Sequence, residues 1–455
     1  MPSRQDQLHS YQFAQQRVVA ALVAHDPDPQ RSPLRSAGTT ILVGLVVAML
    51  AIGAAAVYGV FHESGSVDAR NPAVVFMDKS SGARYVYLDA DRSLHPVLNY
   101  SSGLLIADAA EPGLVVASPE SLAAVPLGDP LGIPGAPDAL PPAKNGLLAA
   151  VWTVCSSGPV PRSLLAVGER LKDGTVLSEP RGLLVSEATG QVFLVHHNQR
   201  FLIPEERLRP VLTAFGWTRP PLPVAAAWIN AIPLGPDLVP PEIPGLGDES
   251  LAVPGLEVGR LLQIRAEGPQ KWGVVLADGV ADLTDVQARL MRADPAYRLR
   301  DIDADVYGSL PRSRTPVAGG LPAAVPTLLN GPDQRVCASH EGGAITVRVG
   351  PTVPPGVAVP GEPAVPGGVR ADLVRVPRGK GAVVVSAASP TAPAGSGTVS
   401  IVTDDGRRYP LASRDLLTRL GYGKVEPTVL PGQLVALLPQ GPALDPVRAR
   451  RPDSP

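Results

Sequence analysis

The chain has 455 residues, with 40 basic and 42 acidic side chains and a formal net charge of −2. Its length predicts several domains, and its near-neutral charge gives no argument for nucleic acid as a partner. Glycine (46) and proline (52) are more abundant than in average proteins, whereas 45% of the residues are hydrophobic. This composition indicates many short elements joined by turns.

The first predicted element is an amphipathic helix over residues 3–24, which Ser3 can cap and the prolines after Asp26 end. Apolar residues at near-helical spacing form a stripe along it: Leu8, Tyr11, Val18, Val19 and Leu22. A lone helix cannot bury this stripe by itself, so it either lies on a membrane surface or packs on a cytoplasmic partner. The polar face is not strongly basic, which favours the partner.

An uncharged apolar run follows at residues 39–61. A helix of this length rises roughly 35 Å, enough to cross a hydrocarbon core of about 30 Å. We predict a single transmembrane anchor that includes Thr39, Ile41, Leu45, Met49, Ile52, Val57 and Phe61. The alternative is a cleaved signal peptide, whose apolar region would be shorter and nearer the N-terminus.

The flanking charges predict the orientation of this anchor. Arg17, Arg31 and Arg35 precede the run, and Glu63 and Asp68 follow it. Basic residues stay on the cytoplasmic side, so we expect residues 1–38 inside and the remainder outside the plasma (inner) membrane.

The two cysteines, Cys155 and Cys337, would then lie in an oxidising compartment. This favours a disulfide, which would contribute up to about 5 kcal/mol by constraining the unfolded chain. Two buried thiols are the alternative.

The outer part contains an internal repeat. Each unit has a strand pattern and then a short helical stretch, and the clear copies close with a Pro- and Gly-rich turn. The copies lie at residues 82–137, 190–245, 271–308 and 406–446, the third being the least regular. The segments 152–184 and 336–385 hold the cysteines and several apolar strands, and we predict that they pair into one central β-rich domain.

The predicted fold class is α+β, with the cytosolic helix, the transmembrane helix and an elongated extracytoplasmic part. The expected boundaries are 1–38 (cytosolic helix and linker), 39–61 (transmembrane helix), 62–125, 186–247, 248–330 and 386–446 (repeat modules 1 to 4), 126–185 and 331–385 (halves of the central domain), and 447–455 (flexible tail).

No motif for nucleotide chemistry is found. Gly379-Lys380 and Gly423-Lys424 lack the upstream glycine and the following Ser or Thr of a phosphate-binding loop. His340-Glu341 lacks the second histidine of a zinc protease motif, and no G-x-S-x-G elbow is present.

The metal-site candidates are also weak. His196 and His197 are adjacent on a predicted strand and would point to opposite faces. Residues 301–305 resemble the start of a calcium loop, but Val306 replaces the required glycine and Arg312 the required bidentate carboxylate. We therefore predict no catalytic, metal or cofactor site.

The string SRQDQLHSYQFAQQRVVAALV, then DPDPQRSPLR and a single apolar segment, resembles the start of the EccB family. These proteins are membrane components of the type VII (ESX) secretion systems of actinobacteria. The similarity continues through LHPVLNYSSGLLI (94–106), LGIPGAPDALP (131–141), WTVC (152–155) and LGYGKVEPTVLPGQLVALLPQGPALDP (420–446).

This resemblance implies a structural, membrane-anchored subunit whose central domain is flanked by four repeat modules and which forms homo-oligomers within a complex. The implied partners are the FtsK/SpoIIIE-like ATPase EccC, the multi-span EccD, and EccE. Two alternatives stay open: a cell-wall binding module, because the repeats resemble phage lysin wall-binding domains in general architecture, and an ATP hydrolase, because some family members carry that label.

Overall fold

The computed structural model describes residues 3–24, 33–62, 67–331, 334–360, 368–388 and 396–452. It divides into two compact units: Met1–Asp68 with Ala117–Ser121, and Ala69–Val116 with Leu122–Pro455.

The first unit contains helix α1 (Arg4–Ala24) and helix α2 (Pro33–His62). Ser3 and Asp6 cap α1 reciprocally: the Asp6 amide donates to Ser3 Oγ at 3.3 Å and the Ser3 amide to Asp6 Oδ2 at 3.1 Å. The predicted N-terminal helix is thus present, and the apolar run 39–61 lies inside α2. Among the described residues, no helix meets the combined length and hydropathy expected of a membrane-crossing segment.

Four modules follow α2 in the chain, and segments of a central sheet lie between modules 1 and 2 and between modules 3 and 4. In chain order, module 1 contains β1 (Val74–Asp78), β2 (Arg84–Leu88), β3 (Ser93–Pro96), α3 (Tyr100–Ile106), β4 (Gly113–Ala117) and α4 (Pro119–Ala123). The central sheet begins with β5 (Val151–Ser157), β6 (Arg162–Val167) and β7 (Thr175–Val176). Module 2 contains β8 (Arg181–Ser186), β9 (Val192–His196), β10 (Gln199–Ile203), α5 (Glu205–Phe215), β11 (Leu222–Pro223) and α6 (Ala226–Asn230).

Module 3 contains β12 (Leu261–Arg265), β13 (Lys271–Leu276), β14 (Gly279–Leu283), α7 (Asp285–Ala293), β15 (Leu299–Asp303) and α8 (Ala304–Ser309), and β16 (Thr327–Leu328) then pairs with β8. The central sheet resumes with β17 (Val336–Glu341), β18 (Ala344–Val349) and β19 (Leu373–Arg375). Module 4 contains β20 (Ala382–Ala387), β21 (Thr398–Val402), β22 (Arg408–Pro410), α9 (Leu416–Arg419), β23 (Thr428–Pro431) and α10 (Gly432–Val435), and α11 (Pro446–Ala449) follows it.

All four modules have the same sheet order. The third strand pairs with the second, the second with the first, and the first with the fourth. In modules 2 to 4 the fourth strand runs parallel to the first, which requires the crossover helix between them. The repeat found in the sequence is therefore a structural repeat.

A short segment after the second helix of each module extends the sheet beyond its third strand. The amides of four strand residues donate to proline carbonyls at 2.8–3.0 Å: Leu94 to Pro126, Arg200 to Pro233, Val280 to Pro311 and Arg408 to Pro439. The amides of Gly128, Gly235, Ser313 and Gly441 donate back to the carbonyls of the same strand residues. This edge of each sheet is thereby hydrogen-bonded within the module.

The residue whose amide donates to the strand carbonyl must be small where a ring lies against it. A Cβ atom on Gly128, Gly235 or Gly441 would lie 2.3–2.7 Å from the ring of His95, Phe201 or Tyr409 respectively. In module 3 the corresponding strand residue is Ala281, and the position is occupied by Ser313. In module 3, therefore, Ser313 takes the place of the glycine, and the small side chain of Ala281 takes the place of the ring.

The central sheet joins two distant parts of the chain in the order β19-β6-β5-β17-β18-β7. β5 and β17 are antiparallel, Cys155 lies opposite Cys337, and the two form a disulfide across 182 residues. The alternative of two free thiols is therefore wrong.

Shared cores connect the modules. One cluster joins a face of the central sheet, including Trp152 and Val154, to residues of modules 2 and 4 such as Trp228 and Leu434. A second cluster joins module 4 to module 1, and a third joins module 3 to module 2. The packing sequence is therefore module 1, module 4, central sheet, module 2, module 3.

The structure differs from the sequence-based boundaries in three places. β8 and β20 were assigned to the central domain, but they are the first strands of modules 2 and 4, because each fourth strand needs the first as its parallel partner. Residues 447–452 were assigned to a flexible tail, but Ala449 is buried and Arg450 donates to the carbonyl of Ile106 at 3.1 Å.

The ring-facing glycines predict a specific cost of substitution. Gly441→Ala should lower the free energy of unfolding by about 1–3 kcal/mol, because its Cβ would overlap the Tyr409 ring. Urea unfolding followed by circular dichroism measures this change. Gly308→Ala is the matched control: its Cβ would meet nothing within 4 Å, and alanine favours helix α8. Equal midpoints for the two variants would contradict the packing argument.

Candidate functional site

The apolar stripe of α1 is uncovered. Leu8, Tyr11, Val18, Val19 and Leu22 are between 39% and 74% exposed. Phe13 is also exposed, and the Arg17 guanidinium lies 5.9 Å from the centre of its ring. The stripe is therefore accompanied by one aromatic side chain that falls on another side of the helix at 100° per residue.

Helix α2 presents apolar side chains on every side. Thr39, Ile41, Leu45, Met49 and Ile52 are all exposed. Val57 and Phe61 belong to the same helix, but their side chains lie outside the described part of the chain. An apolar helix without a polar face has no water-compatible side.

The disulfide lies in a small buried cluster on the second face of the central sheet. Cys155 and Cys337 are each 1% exposed and pack with Leu164 and Leu171. Beside them, the hydroxyls of Thr153 and Ser339 are 2.8 Å apart, and Thr153 also donates to the Glu169 carbonyl at 2.8 Å. The bond is shielded from solvent and satisfied polar groups surround it, as expected of a structural link.

His196 and His197 do not both belong to a strand. His196 ends β9, is buried, and has its Nδ1 atom 3.0 Å from the Arg181 carbonyl. His197 and Asn198 have φ angles of 49° and 59° and form the two-residue turn between β9 and β10. The prediction of two strand histidines is therefore wrong for His197. Among the residues that the structure describes, no group of three or more His, Cys, Asp or Glu side chains is placed to hold a metal ion.

The calcium-like segment lies on an edge strand. Asp301 and Asp303 alternate along β15 and face Arg265 of the neighbouring β12, at 3.0 Å and 3.8 Å. Their spacing reflects one face of a strand rather than a cation loop. Arg312 pairs with Asp282 of module 3 instead of approaching this segment.

Both Gly-Lys pairs lie in turns, and the polar groups of the first pair are already hydrogen-bonded. The Gly379 amide donates to the Asp404 carboxylate at 2.7 Å, and the Lys380 ammonium contacts the Asn145 carbonyl. The Asp404 carboxylate would repel a phosphate from this amide. Gly423 packs against Thr418, 2.9 Å from where its Cβ would be.

His340 is a buried titratable group that sequence reasoning did not identify. It lies opposite Trp152 in the pairing of β17 with β5 and is 4% exposed. Burial lowers its pKa to about 4, and its Nε2 atom has no partner among the described residues. Glu341, the next residue, pairs with Arg170 at the surface.

This burial predicts a pH-dependent stability. The unfolded chain takes up a proton on His340 near pH 6.5, whereas the folded chain resists protonation down to about pH 4. The contribution of the neutral His340 side chain to the free energy of unfolding is therefore complete above pH 6.5, and it is lost as the pH falls towards 4. Between pH 6.5 and pH 4 the free energy of unfolding should therefore fall by about 3 kcal/mol less in His340→Gln than in the unaltered protein.

Urea unfolding at pH 7.0 and pH 4.0 measures this difference. His197→Gln provides the control, because its side chain is exposed in a turn. The same pH dependence in His340→Gln and in the unaltered protein would contradict a buried neutral histidine.

The exposed helices, the repeated modules and the disulfide-linked sheet are typical of a modular assembly protein. Comparison with known proteins supports this class. The family model described as type VII secretion system ESX-1, transport TM domain B, matches residues 1–453, and the chain belongs to that family. The predicted resemblance to EccB proteins is confirmed.

Curated relatives span different shares of the chain. ESX-1 secretion system ATPase EccB1 of Mycobacterium tuberculosis is 30% identical over 307 residues, which cover 64% of this chain and 62% of the relative. The match therefore spans less than two thirds of that relative. ESX-3 secretion system ATPase EccB3 of Mycolicibacterium smegmatis is 26% identical over 486 aligned residues, covering 96% of this chain and 88% of the relative.

Solved structures share the fold. An intact ESX-5 inner membrane complex contains a chain that matches with a TM-score of 0.68 and 23% identity, covering 100% of this chain and 96% of that one. The EccB3 dimer from the ESX-3 core complex matches with a TM-score of 0.64 and 25% identity, covering 83% of this chain and 100% of that one.

Proposed function

We propose that this chain is a structural, membrane-anchored subunit of a type VII secretion inner-membrane complex. The observation that carries the proposal is the uncovered apolar stripe of α1, placed in the chain directly before a helix that is apolar on every side. One element is suited to a protein partner and the next to lipid. The family's description as a transport TM domain supports the same division.

In this proposal residues 39–61 of α2 span the plasma membrane once. The basic residues before the span and the acidic residues after it favour a cytoplasmic N-terminus. The modules and the central sheet then lie outside, where an oxidising environment maintains the Cys155–Cys337 disulfide.

The proposed partners are EccC-, EccD- and EccE-type components on the cytoplasmic and membrane side, and further copies of this chain on the outer side. The similarity to an EccB3 dimer supports self-association. The closed third-strand edges of the modules favour contacts through side chains rather than through added strands.

A structural role is favoured over ATP hydrolysis, although the curated relatives are named ATPases. The two Gly-Lys pairs lie in turns, and the Asp404 carboxylate already accepts from the Gly379 amide. A phosphate-binding loop needs such amides free to point at the phosphate.

The docking role of α1 predicts a selective loss of partners. The combined substitutions Leu8→Ser, Tyr11→Ser and Val18→Ser should reduce co-purification of the other secretion components by about a hundredfold or more, because each buried apolar side chain contributes roughly 1.5–3 kcal/mol. The measurement is quantitative mass spectrometry of complexes taken from gently solubilised membranes.

The matched control carries His9→Ser and Gln16→Ser, which lie on another face of α1. It should retain its partners, and both variants should stay in the membrane fraction. Unchanged co-purification of the triple variant would defeat the docking role.

A further inference from the structure

A basic groove of about 690 Å³ lies between modules 2 and 3. Helix α5 forms one wall of the groove and helix α7 forms the other. Trp272 of β13 and Gln270, which immediately precedes β13, also line the groove. The two modules are held together around it by the shared apolar cluster, by the Arg207–Asp294 ion pair and by the Arg289 guanidinium, which donates to the Ala214 carbonyl at 3.2 Å. The walls are thus fixed relative to each other.

The charge of this groove is unbalanced. Three arginines line it, Arg209 from α5 and Arg289 and Arg292 from α7, and Asp285 is the one carboxylate among the lining residues. Asp285 is already occupied, because the Arg289 Nε atom donates to both of its oxygens at 2.9–3.0 Å. Arg209 and Arg292 have no ion-pair or hydrogen-bond partner within the described residues. Two net positive charges therefore remain in one groove.

One buried side chain beside the groove also lacks a hydrogen-bond partner. Trp272 is 6% exposed, and its indole Nε1 atom has no acceptor among the described residues. A buried donor without a partner is energetically unfavourable. The indole Nε1 atom itself is buried, so the contacts to a ligand would come from the exposed arginines, whose charge an oxyanion held in the groove would neutralise.

We propose that this groove binds a phosphate group, carried either by a soluble phosphate ester or by a lipid headgroup. Arginine forks match phosphate oxygens in pairs, and a phosphate monoester carries about −1.5 to −2 charges near neutral pH. One compact group thus balances the excess charge, whereas an acidic peptide would have to bring two carboxylates into the groove separately. Pro210, Ala214 and Ala293 offer apolar surface to the organic part of the ligand.

The test uses the full-length chain in a non-ionic detergent at low salt, with inorganic pyrophosphate as the soluble probe. Isothermal titration calorimetry should detect binding that weakens as salt is added. The combined variant Arg209→Gln and Arg292→Gln should weaken it at least about tenfold, because two charged hydrogen-bond donors are lost. Both side chains are exposed, so the variant should keep the melting temperature of the parent.

The control is Arg162→Gln, an exposed residue on β6 of the central sheet, which should bind like the parent. A second arm replaces pyrophosphate with micelles that contain phosphatidic acid, and arginine-dependent binding in that arm alone would assign the site to a lipid headgroup. Absence of binding in both arms, or equal affinity in the double variant, would overturn the proposal. Tighter, arginine-dependent binding of a hexaglutamate peptide would overturn the phosphate assignment.

Discussion

The pairing of β5 with β17 is the contact on which the packing of the outer modules depends. These strands are 182 residues apart at their cysteines, yet they are adjacent in the middle of the central sheet. The sheet face that they form is the surface on which modules 2 and 4 bury their apolar residues. Modules 3 and 1 in turn pack on modules 2 and 4, so the loss of this strand pair would remove the common support of all four.

Each module closes one edge of its own sheet. The segment after the second helix hydrogen-bonds to the third strand, and in modules 1, 2 and 4 a glycine that faces an aromatic or imidazole ring keeps this segment close to the strand. Some polar clusters consist of side chains that satisfy one another, such as Arg265 with Asp301 and Asp303. The interaction surfaces proposed for this molecule are the α1 stripe, the sides of α2, and the basic groove between modules 2 and 3.

Much of this architecture could be predicted from the sequence, because the apolar alternation and the Pro-Gly turns recur in the three clear copies of the repeat. The module boundaries could not, since β8 and β20 are continuous apolar strands that look the same whether they pair in the central sheet or in a module. The position of His197 was missed because the turn uses His-Asn, without the glycine that usually marks a two-residue hairpin. The docked C-terminus was missed because an arginine-rich composition is typical of a solvated tail, and only the fold shows the helix carbonyls that Arg450 reaches.

No pattern in the amino-acid sequence indicates the basic groove. Arg209 and Arg292 are 83 positions apart and resemble ordinary surface residues of amphipathic helices. Their proximity follows from the packing of α5 beside α7, which depends on the buried residues Val211, Phe215, Val286 and Leu290. A charge cluster that combines residues of two modules can be recognised only when the three-dimensional packing of those modules is known.

The insertion of modules 2 and 3 between the two halves of the central sheet has a consequence for biosynthesis. A ribosome adds about 5–20 residues per second, so Cys155 emerges roughly 10 to 40 s before Cys337. Throughout that interval the nascent chain carries a strand with an open edge and an unoxidised sulfur, while two complete modules fold beyond it. The central sheet can therefore close, and its disulfide form, only after modules 2 and 3 have been synthesised.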